Sequence, residues 1–156
     1  MKGNEKLIKM LNSLLADELT AINQYMVHAE MDDNWGYDRL HKMIQHRAVT
    51  EMHHAESLIS RMLFLEGQPV VSKLGDIHIG ADVPGQFDAD LGAEMGAVKK
   101  YNEAVALAQT VGDNASREML EKILKDEDGH LDEIEAQRDQ IAQMGIEQYL
   151  SQQIRE

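Results

Sequence analysis

Two short motifs in this chain place a glutamate and a histidine three positions apart. Residues 51–54 read Glu-Met-His-His, and residues 127–130 read Glu-Asp-Gly-His. On an α-helix, side chains at positions i and i+3 share one face, so each pair can reach a single point. In four-helix bundles that hold two metals, two such pairs are joined by one glutamate from each of two other helices. The spacing therefore indicates a carboxylate-bridged two-metal centre.

Two further glutamates, Glu18 and Glu94, each interrupt a run of apolar residues that recur every three or four positions. Such a run predicts the buried face of a helix, so both carboxylates are expected to point into a core. Four buried carboxylates are strongly unfavourable unless they are compensated, and two divalent cations balance their formal charge. The predicted metal ligands are Glu18, Glu51, His54, Glu94, Glu127 and His130.

The residue types of this ligand set predict both the metal and the reaction. Glu51 and Glu127 are expected to bridge the metals, with Glu18 and Glu94 as terminal ligands and one imidazole on each metal. Oxygen and imidazole donors with open positions suit iron or manganese, and zinc can also bind. Because carboxylates stabilise Fe(III) over Fe(II), the expected reaction is oxidation of two Fe(II) by oxygen or peroxide. A single glutamate or histidine in a stripe is usually structural; six together favour the metal interpretation.

The elements that must position these ligands are long helices. Helices are predicted at about 4–33, 37–66, 84–110 and 115–144, with a short fifth helix at about 147–154. Short turns make each pair of long helices an antiparallel hairpin, and the connection over 67–82 is long enough to run the length of a bundle. Only 70–71 and 77–79 look strand-like. We predict an all-α, ferritin-like four-helix bundle with a long crossover, as one domain over 1–156.

Composition limits the function classes. The formal net charge is −13, which argues against nucleic-acid binding because that requires Lys and Arg to replace phosphate counterions. The chain has no cysteine, so a disulfide or a thiolate iron site is excluded. The N-terminal region is amphipathic rather than continuously apolar, which predicts neither a signal peptide nor a membrane span. We expect a cytoplasmic protein.

Several segments together resemble bacterioferritin, and the resemblance runs nearly end to end, as far as Arg155. The segments that carry it are 1–3, 18–25, 51–55, 63–67 and 126–130. The resemblance implies a hollow shell of twenty-four subunits that oxidises Fe(II) and stores ferric mineral. It further implies a haem b between two subunits, with Met52 of each as the axial ligand, and a small ferredoxin as the electron donor for iron release.

The chain departs from the bacterioferritin pattern in ways that bear on electron and iron transfer. Thr50 stands where an Asp is common, and it is a poor iron ligand beside His46, which weakens an inner-surface iron site. Glu133 and Leu58 stand where aromatic residues are often found. Electron supply from aromatic side chains would then rest mainly on Tyr25, which we count among the catalytic residues.

Two other functions remain open at this point. One is a di-iron peroxide reductase of the rubrerythrin type, although such proteins often carry a cysteine-rich domain that this chain lacks. The other is a subunit that buffers haem or iron in a mixed shell whose partner performs the oxidation. The complete set of six ligands argues against the second.

Overall fold

The computed structural model describes residues 1–154, and this part of the chain contains five α-helices and no strand. The helices are α1 (Glu5–Asn34), α2 (Asp38–Phe64), α3 (Val83–Thr110), α4 (Asn114–Met144) and α5 (Ile146–Ser151). The predicted all-α bundle with a crossover and a short fifth helix is confirmed. The strand-like residues 70–71 and 77–79 lie in the crossover as irregular chain, and α5 ends before residue 154. Positions 155 and 156, the end of the predicted domain and of the resemblance, lie outside the described residues.

Side-chain caps fix where three of the long helices begin. The side chains of Asn4, Asp82 and Asp113 accept hydrogen bonds from first-turn backbone N–H groups of α1, α3 and α4, which have no partner within the helix. By contrast, Tyr37 precedes α2 without a side-chain cap. Gly145 ends α4 at φ 82°, a conformation that favours glycine. Three of the four helices that carry predicted ligands therefore begin at a capping side chain.

The crossover between α2 and α3 runs along α1 and is held by polar side chains of that helix. Backbone groups of the crossover bind Asn12, Thr20, Gln24 and His28, which lie at multiples of four along α1. Positions four apart share a helix face, so the crossover follows one side of α1 from near its beginning to near its end. The chain therefore enters α3 antiparallel to α1, which places the middle of each helix beside the other.

The apolar core is divided along the bundle axis. The cluster at one end contains Leu7, Leu11, Leu14, Leu58, Ala104, Leu120 and others, and the cluster at the other end contains Leu40, Val83, Phe87, Ile134 and Tyr149. Between them, each of the four long helices contributes a buried acidic residue. Within residues 1–154, no helix is both long and apolar enough to cross a membrane.

Candidate metal centre

The six predicted ligands meet in the middle of the bundle as two overlapping groups. One group contains Glu18, Glu51, His54 and Glu127, and the other contains Glu51, Glu94, Glu127 and His130. Within each group, one ligand atom from every residue lies within 4.8 Å of the others. Glu51 and Glu127 belong to both groups, which is the arrangement that two bridging carboxylates require.

Helix periodicity explains why each helix can supply its share of this centre. Because α2 and α4 each present their Glu-x-x-His pair on one face, both side chains of a pair point inward. The four glutamates are 1–3% exposed, so water contributes little to their solvation. Each lies between apolar residues that pack above and below it on the same helix.

The imidazole Nδ1 atoms face the carboxylates. The Nδ1 of His54 lies 2.8 Å from Glu127 Oε1, 3.3 Å from Glu51 Oε2 and 3.5 Å from Glu18 Oε1. The Nδ1 of His130 lies 2.8 Å from Glu51 Oε1 and 3.4 Å from Glu94 Oε1. The two rings are 6.3 Å apart between centroids. Each Nδ1 atom therefore faces one unshared glutamate, Glu18 or Glu94, together with the shared glutamates.

Several donor atoms of the centre are buried without a hydrogen-bond partner in residues 1–154. These atoms are Oε2 of Glu18, Oε1 of Glu51, Oε2 of Glu94, Oε1 of Glu127 and Nδ1 of His130. The 2.8 Å contacts of His54 Nδ1 with Glu127 Oε1 and of His130 Nδ1 with Glu51 Oε1 are close but lack hydrogen-bond geometry. Buried polar atoms without partners are rare in folded proteins because each costs free energy. Here the unpaired atoms are carboxylate oxygens and an imidazole nitrogen turned toward common points. This donor set fits two divalent cations.

The pKa values within the cluster reflect the cost of burying four carboxylates close together. Burial, and then contact with Glu51, raises the pKa of Glu18, and burial together with Glu94 and Glu51 raises the pKa of Glu127 to about 12. Burial lowers the pKa of His130, but its contacts with Glu51 and Glu94 outweigh burial and raise it to about 9. Without cations the centre therefore holds protons on these groups, and any metal bound by the same atoms must displace them.

Two buried tyrosines donate hydrogen bonds to the two unshared glutamates. The hydroxyl of Tyr25 donates to Glu94 Oε1 at 2.6 Å, and the hydroxyl of Tyr101 donates to Glu18. Burial, and then the nearby glutamate, raises the pKa of both phenols, so both are protonated. The sequence analysis singled out Tyr25 and placed Tyr101 in the apolar stripe. The sequence did contain a signal for Tyr101, because it lies at the same distance after Glu94 as Tyr25 lies after Glu18.

The two histidines differ in what holds the ring nitrogen that faces away from the carboxylates. The Nε2 of His54 donates to Asp126 Oδ2 at 2.9 Å. Contacts of this kind fix the ring orientation of histidines that bind metals. No hydrogen bond to Nε2 of His130 is found within the described chain. Thr50, which precedes Glu51 as Asp126 precedes Glu127, instead donates to the carbonyl of His46 on its own helix.

A buried arginine lies beside the centre, and the sequence analysis did not identify it. Arg47 is 1% exposed, and its guanidinium donates to Asp90 and to Glu133, each at 3.3 Å. The same guanidinium lies over the ring of Tyr25, 5.3 Å from the centroid. Its position one turn before Glu51 was the signal that it faces inward. Arg47 therefore connects α2, α3 and α4 next to one of the two tyrosines.

A cavity of about 550 Å³ between α1 and α3 reaches the centre. Its inner part is lined by the four glutamates of the centre and by the two tyrosines. Its outer part is lined by the exposed acidic residues Asp17, Asp76 and Asp88. Small residues of α3, Gly92, Ala93, Gly96 and Ala97, also line it. Their lack of bulk leaves space between the two helices. The cavity offers cations an acidic route to the ligands.

Met52 lies on the outer side of α2, away from the two ligand groups. Its side chain is 44% exposed, and Met26 and Val49 are also exposed. Exposed apolar side chains such as these, on α1 and α2, suit contact with another apolar surface.

Comparison with known proteins places the chain among ferritin-like proteins. The family model for the ferritin-like domain matches residues 8–144. The chain is 40% identical to the bacterioferritin of Brucella melitensis biotype 1 over 149 residues, which are 96% of this chain and 92% of the relative. It is 41% identical to the bacterioferritin of Rhodobacter capsulatus over 137 residues, 88% of this chain and 85% of the relative. With a bacterioferritin of Mycobacterium tuberculosis it shares 36% identity over 152 residues, covering 97% and 96% of the two chains.

Proposed function

The chain belongs to the bacterioferritin family, and from that premise we propose that it stores iron and oxidises Fe(II) to Fe(III) at the carboxylate–histidine centre. Fe(II) is the substrate, dioxygen or peroxide is the oxidant, and the product is ferric mineral. One observation carries the proposal: two overlapping groups of buried donors share Glu51 and Glu127 and leave donor atoms without hydrogen bonds.

The residues of the centre act by binding, orienting and releasing protons. Glu51 and Glu127 bridge two Fe(II) ions, Glu18 with His54 completes one half-site, and Glu94 with His130 completes the other. Binding displaces the protons that the empty cluster holds, because carboxylate and imidazole ligands bind metals deprotonated. The bound Fe(II) pair supplies two electrons to the oxidant. The apolar residues around the ligands limit water at the centre, and the acidic cavity attracts cations toward it.

Metal titration and iron oxidation together test this proposal. We expect anaerobic protein to bind two Co(II) per subunit, and aerobic protein to oxidise Fe(II) with consumption of oxygen. A variant with Glu51→Ala and Glu127→Ala should lose both properties, because both half-sites lose their shared ligands. The matched control is Glu56→Ala with Glu118→Ala, which removes exposed carboxylates from the same two helices. The control should behave as the unmodified protein.

Three results would contradict the proposal or redirect it. Undiminished oxidation by the doubly substituted protein would remove these positions from the reaction. Elution as a monomer or dimer after iron loading would contradict storage in a shell. Oxidation by peroxide alone with no mineral would favour a peroxide reductase instead.

We also propose, from the family, that the chain forms a 24-subunit shell in the cytoplasm, with residues 1–156 as one domain. In this proposal, Met52 from each of two subunits binds a haem b between them, and a small ferredoxin supplies electrons for iron release. The exposed apolar face around Met52 supports the haem position, since a thioether there is accessible to a second copy. A visible spectrum after haem reconstitution tests it: the Soret band should show bis-methionine ligation and should shift in Met52→His. A spectrum unchanged by that substitution would rule out Met52 as a haem ligand.

A further inference from the structure

The two buried tyrosines form a crossed pair around the centre. Tyr25 lies on α1 and donates to a glutamate of α3, whereas Tyr101 lies on α3 and donates to a glutamate of α1. Both side chains are 1% exposed. Each acceptor is an unshared glutamate, Glu94 or Glu18, and its other carboxylate oxygen has no hydrogen-bond partner in residues 1–154. Each phenol is therefore one carboxylate away from one half-site.

The hydrogen bond at each phenol provides what oxidation of a tyrosine requires. Loss of an electron makes the phenol strongly acidic, so an adjacent base must take its proton. Glu18 is such a base for Tyr101, as Glu94 is for Tyr25, because the phenol already donates to it. Burial keeps soluble reductants away from the radical that electron loss would form. The two tyrosines meet these conditions equally.

The surroundings of the two rings differ in a way that makes Tyr101 at least as good an electron donor as Tyr25. The Arg47 guanidinium lies over the ring of Tyr25, and a cation at a ring face is attracted by its electron density, so electron loss from that ring is opposed. Tyr101 packs instead in the apolar cluster with Ala104, Leu120 and Ile123. Among the charged groups that interact with Tyr101, the principal ones are carboxylates of the centre.

We propose that Tyr101 is a second redox-active tyrosine, which gives one electron to the oxidant alongside Tyr25, the donor expected from the sequence. The proposal rests on the ferroxidase function proposed above. Two Fe(II) ions and two phenols supply four electrons, and the two phenolic protons leave through Glu18 and Glu94. The four electrons, the two phenolic protons and two further protons from solution reduce one O₂ to two molecules of water, leaving two Fe(III) and two neutral tyrosyl radicals. Two more Fe(II) ions reduce the radicals, and each phenol regains a proton.

Rapid freeze-quench electron paramagnetic resonance tests the proposal on intact protein loaded with two Fe(II) per subunit and mixed with oxygen. Tyr25→Phe and Tyr101→Phe should each retain a tyrosyl radical, and the double variant should have none. Ring-deuterated tyrosine should narrow each signal. The double variant should release one H₂O₂ for every two Fe(II) oxidised, because only two electrons then reach the oxygen. The matched control is Tyr149→Phe, which removes a buried hydroxyl bonded to Gln137.

Co(II) binding separates a donor from a residue that only positions Glu18. If Tyr101→Phe binds Co(II) with an unchanged spectrum and lacks the radical that persists in Tyr25→Phe, Tyr101 is a donor. Absence of a radical in Tyr25→Phe would overturn the proposal. Loss of the Tyr101 signal together with altered Co(II) binding would also overturn it and assign Tyr101 to positioning. If the unmodified protein does not oxidise Fe(II), the proposed function itself fails, which is a different result.

Discussion

The two helical hairpins of this bundle supply the same ligands but surround them differently. The first hairpin, α1 and α2, carries Glu18, Tyr25, Glu51 and His54, and the second, α3 and α4, carries Glu94, Tyr101, Glu127 and His130 at the same spacing. Each tyrosine binds the unshared glutamate of the opposite hairpin. The coordinating atoms therefore follow an approximate twofold repeat.

The contacts behind those atoms do not follow the repeat. Asp126 holds His54, whereas Thr50, at the corresponding position, bonds its own helix. The side chain of His130 is 14% exposed, against 5% for His54. Arg47 lies over Tyr25, and its counterpart in the second hairpin is the apolar Ile123. The comparison teaches that two half-sites with equal ligands can hold cations unequally, because the residues that orient the ligands differ.

The largest expected effect separates shared from unshared ligands. Glu127→Ala removes a ligand of both half-sites, so we expect both Co(II) ions to be lost. Iron oxidation should fall by more than about 100-fold, which exceeds the loss typical when a residue that only hydrogen-bonds to a metal ligand is changed. Glu94→Ala removes a ligand of one half-site only and should leave one Co(II) per subunit. Anaerobic Co(II) titration followed by visible absorption distinguishes the two. Equal stoichiometry in both variants would contradict the sharing of Glu127.

The second effect concerns stability and the arginine found in one hairpin only. Arg47→Met removes the guanidinium partner of the fully buried Asp90, which keeps its hydrogen bonds with Gln24 and His28. We therefore expect a cost near the lower end of the about 3–5 kcal/mol found when a buried ion pair is broken on one side. Ile123→Val, the counterpart in the second hairpin, should cost only about 0.5–1.5 kcal/mol. Urea unfolding of metal-free protein measures both. Adding Asp90→Asn to Arg47→Met should recover part of the loss, and no recovery would contradict an unpaired charge as its cause.

The third effect tests the unequal support of the two histidines. Asp126→Asn weakens the hydrogen bond that orients His54, so we expect affinity at that half-site to fall about 10–100-fold, as for other outer-shell partners of metal ligands. Thr50→Ala at the corresponding position should leave both half-sites unchanged. Competition of Co(II) with a chelator resolves the two binding steps. If affinity fell only at the half-site of His130, Asp126 would have to support His130 rather than His54.

The repeated part of this molecule could be predicted from the sequence, and the unrepeated part could not. Helix boundaries and inward-facing ligands follow from periodicity and caps, which are local properties. Arg47 was missed because its partners, Asp90 and Glu133, come from two other helices, and only packing brings them together. Asp126 was missed because it reaches His54 across the bundle. Such contacts between distant segments depend on the relative placement of helices, which residue spacing leaves open.

The smallest expected effect lies at the turns, where the hairpins again differ. The turn before α4 has Asp113 as a cap, bonded also to Ser116 and Arg61, whereas the turn before α2 has no side-chain cap. We expect Asp113→Ala to cost about 1 kcal/mol, the usual loss for a helix cap. Tyr37→Phe at the uncapped turn should cost less. Urea unfolding of metal-free protein at pH 7 compares them.

The dependence of this difference on pH shows whether the charge of Asp113 contributes. Burial raises the pKa of Asp113, but hydrogen bonds from Ser116 and Arg61 outweigh burial and lower it below its usual 3.8. A carboxyl whose folded-state pKa is lowered stabilises the fold above its unfolded-state pKa, and this contribution is lost as pH falls through the folded value. The gap in stability between the unmodified protein and Asp113→Ala should therefore stay constant from pH 7 to about pH 5 and narrow below about pH 4. A gap that stays constant at pH 3 would mean that the cap stabilises α4 through hydrogen bonding alone.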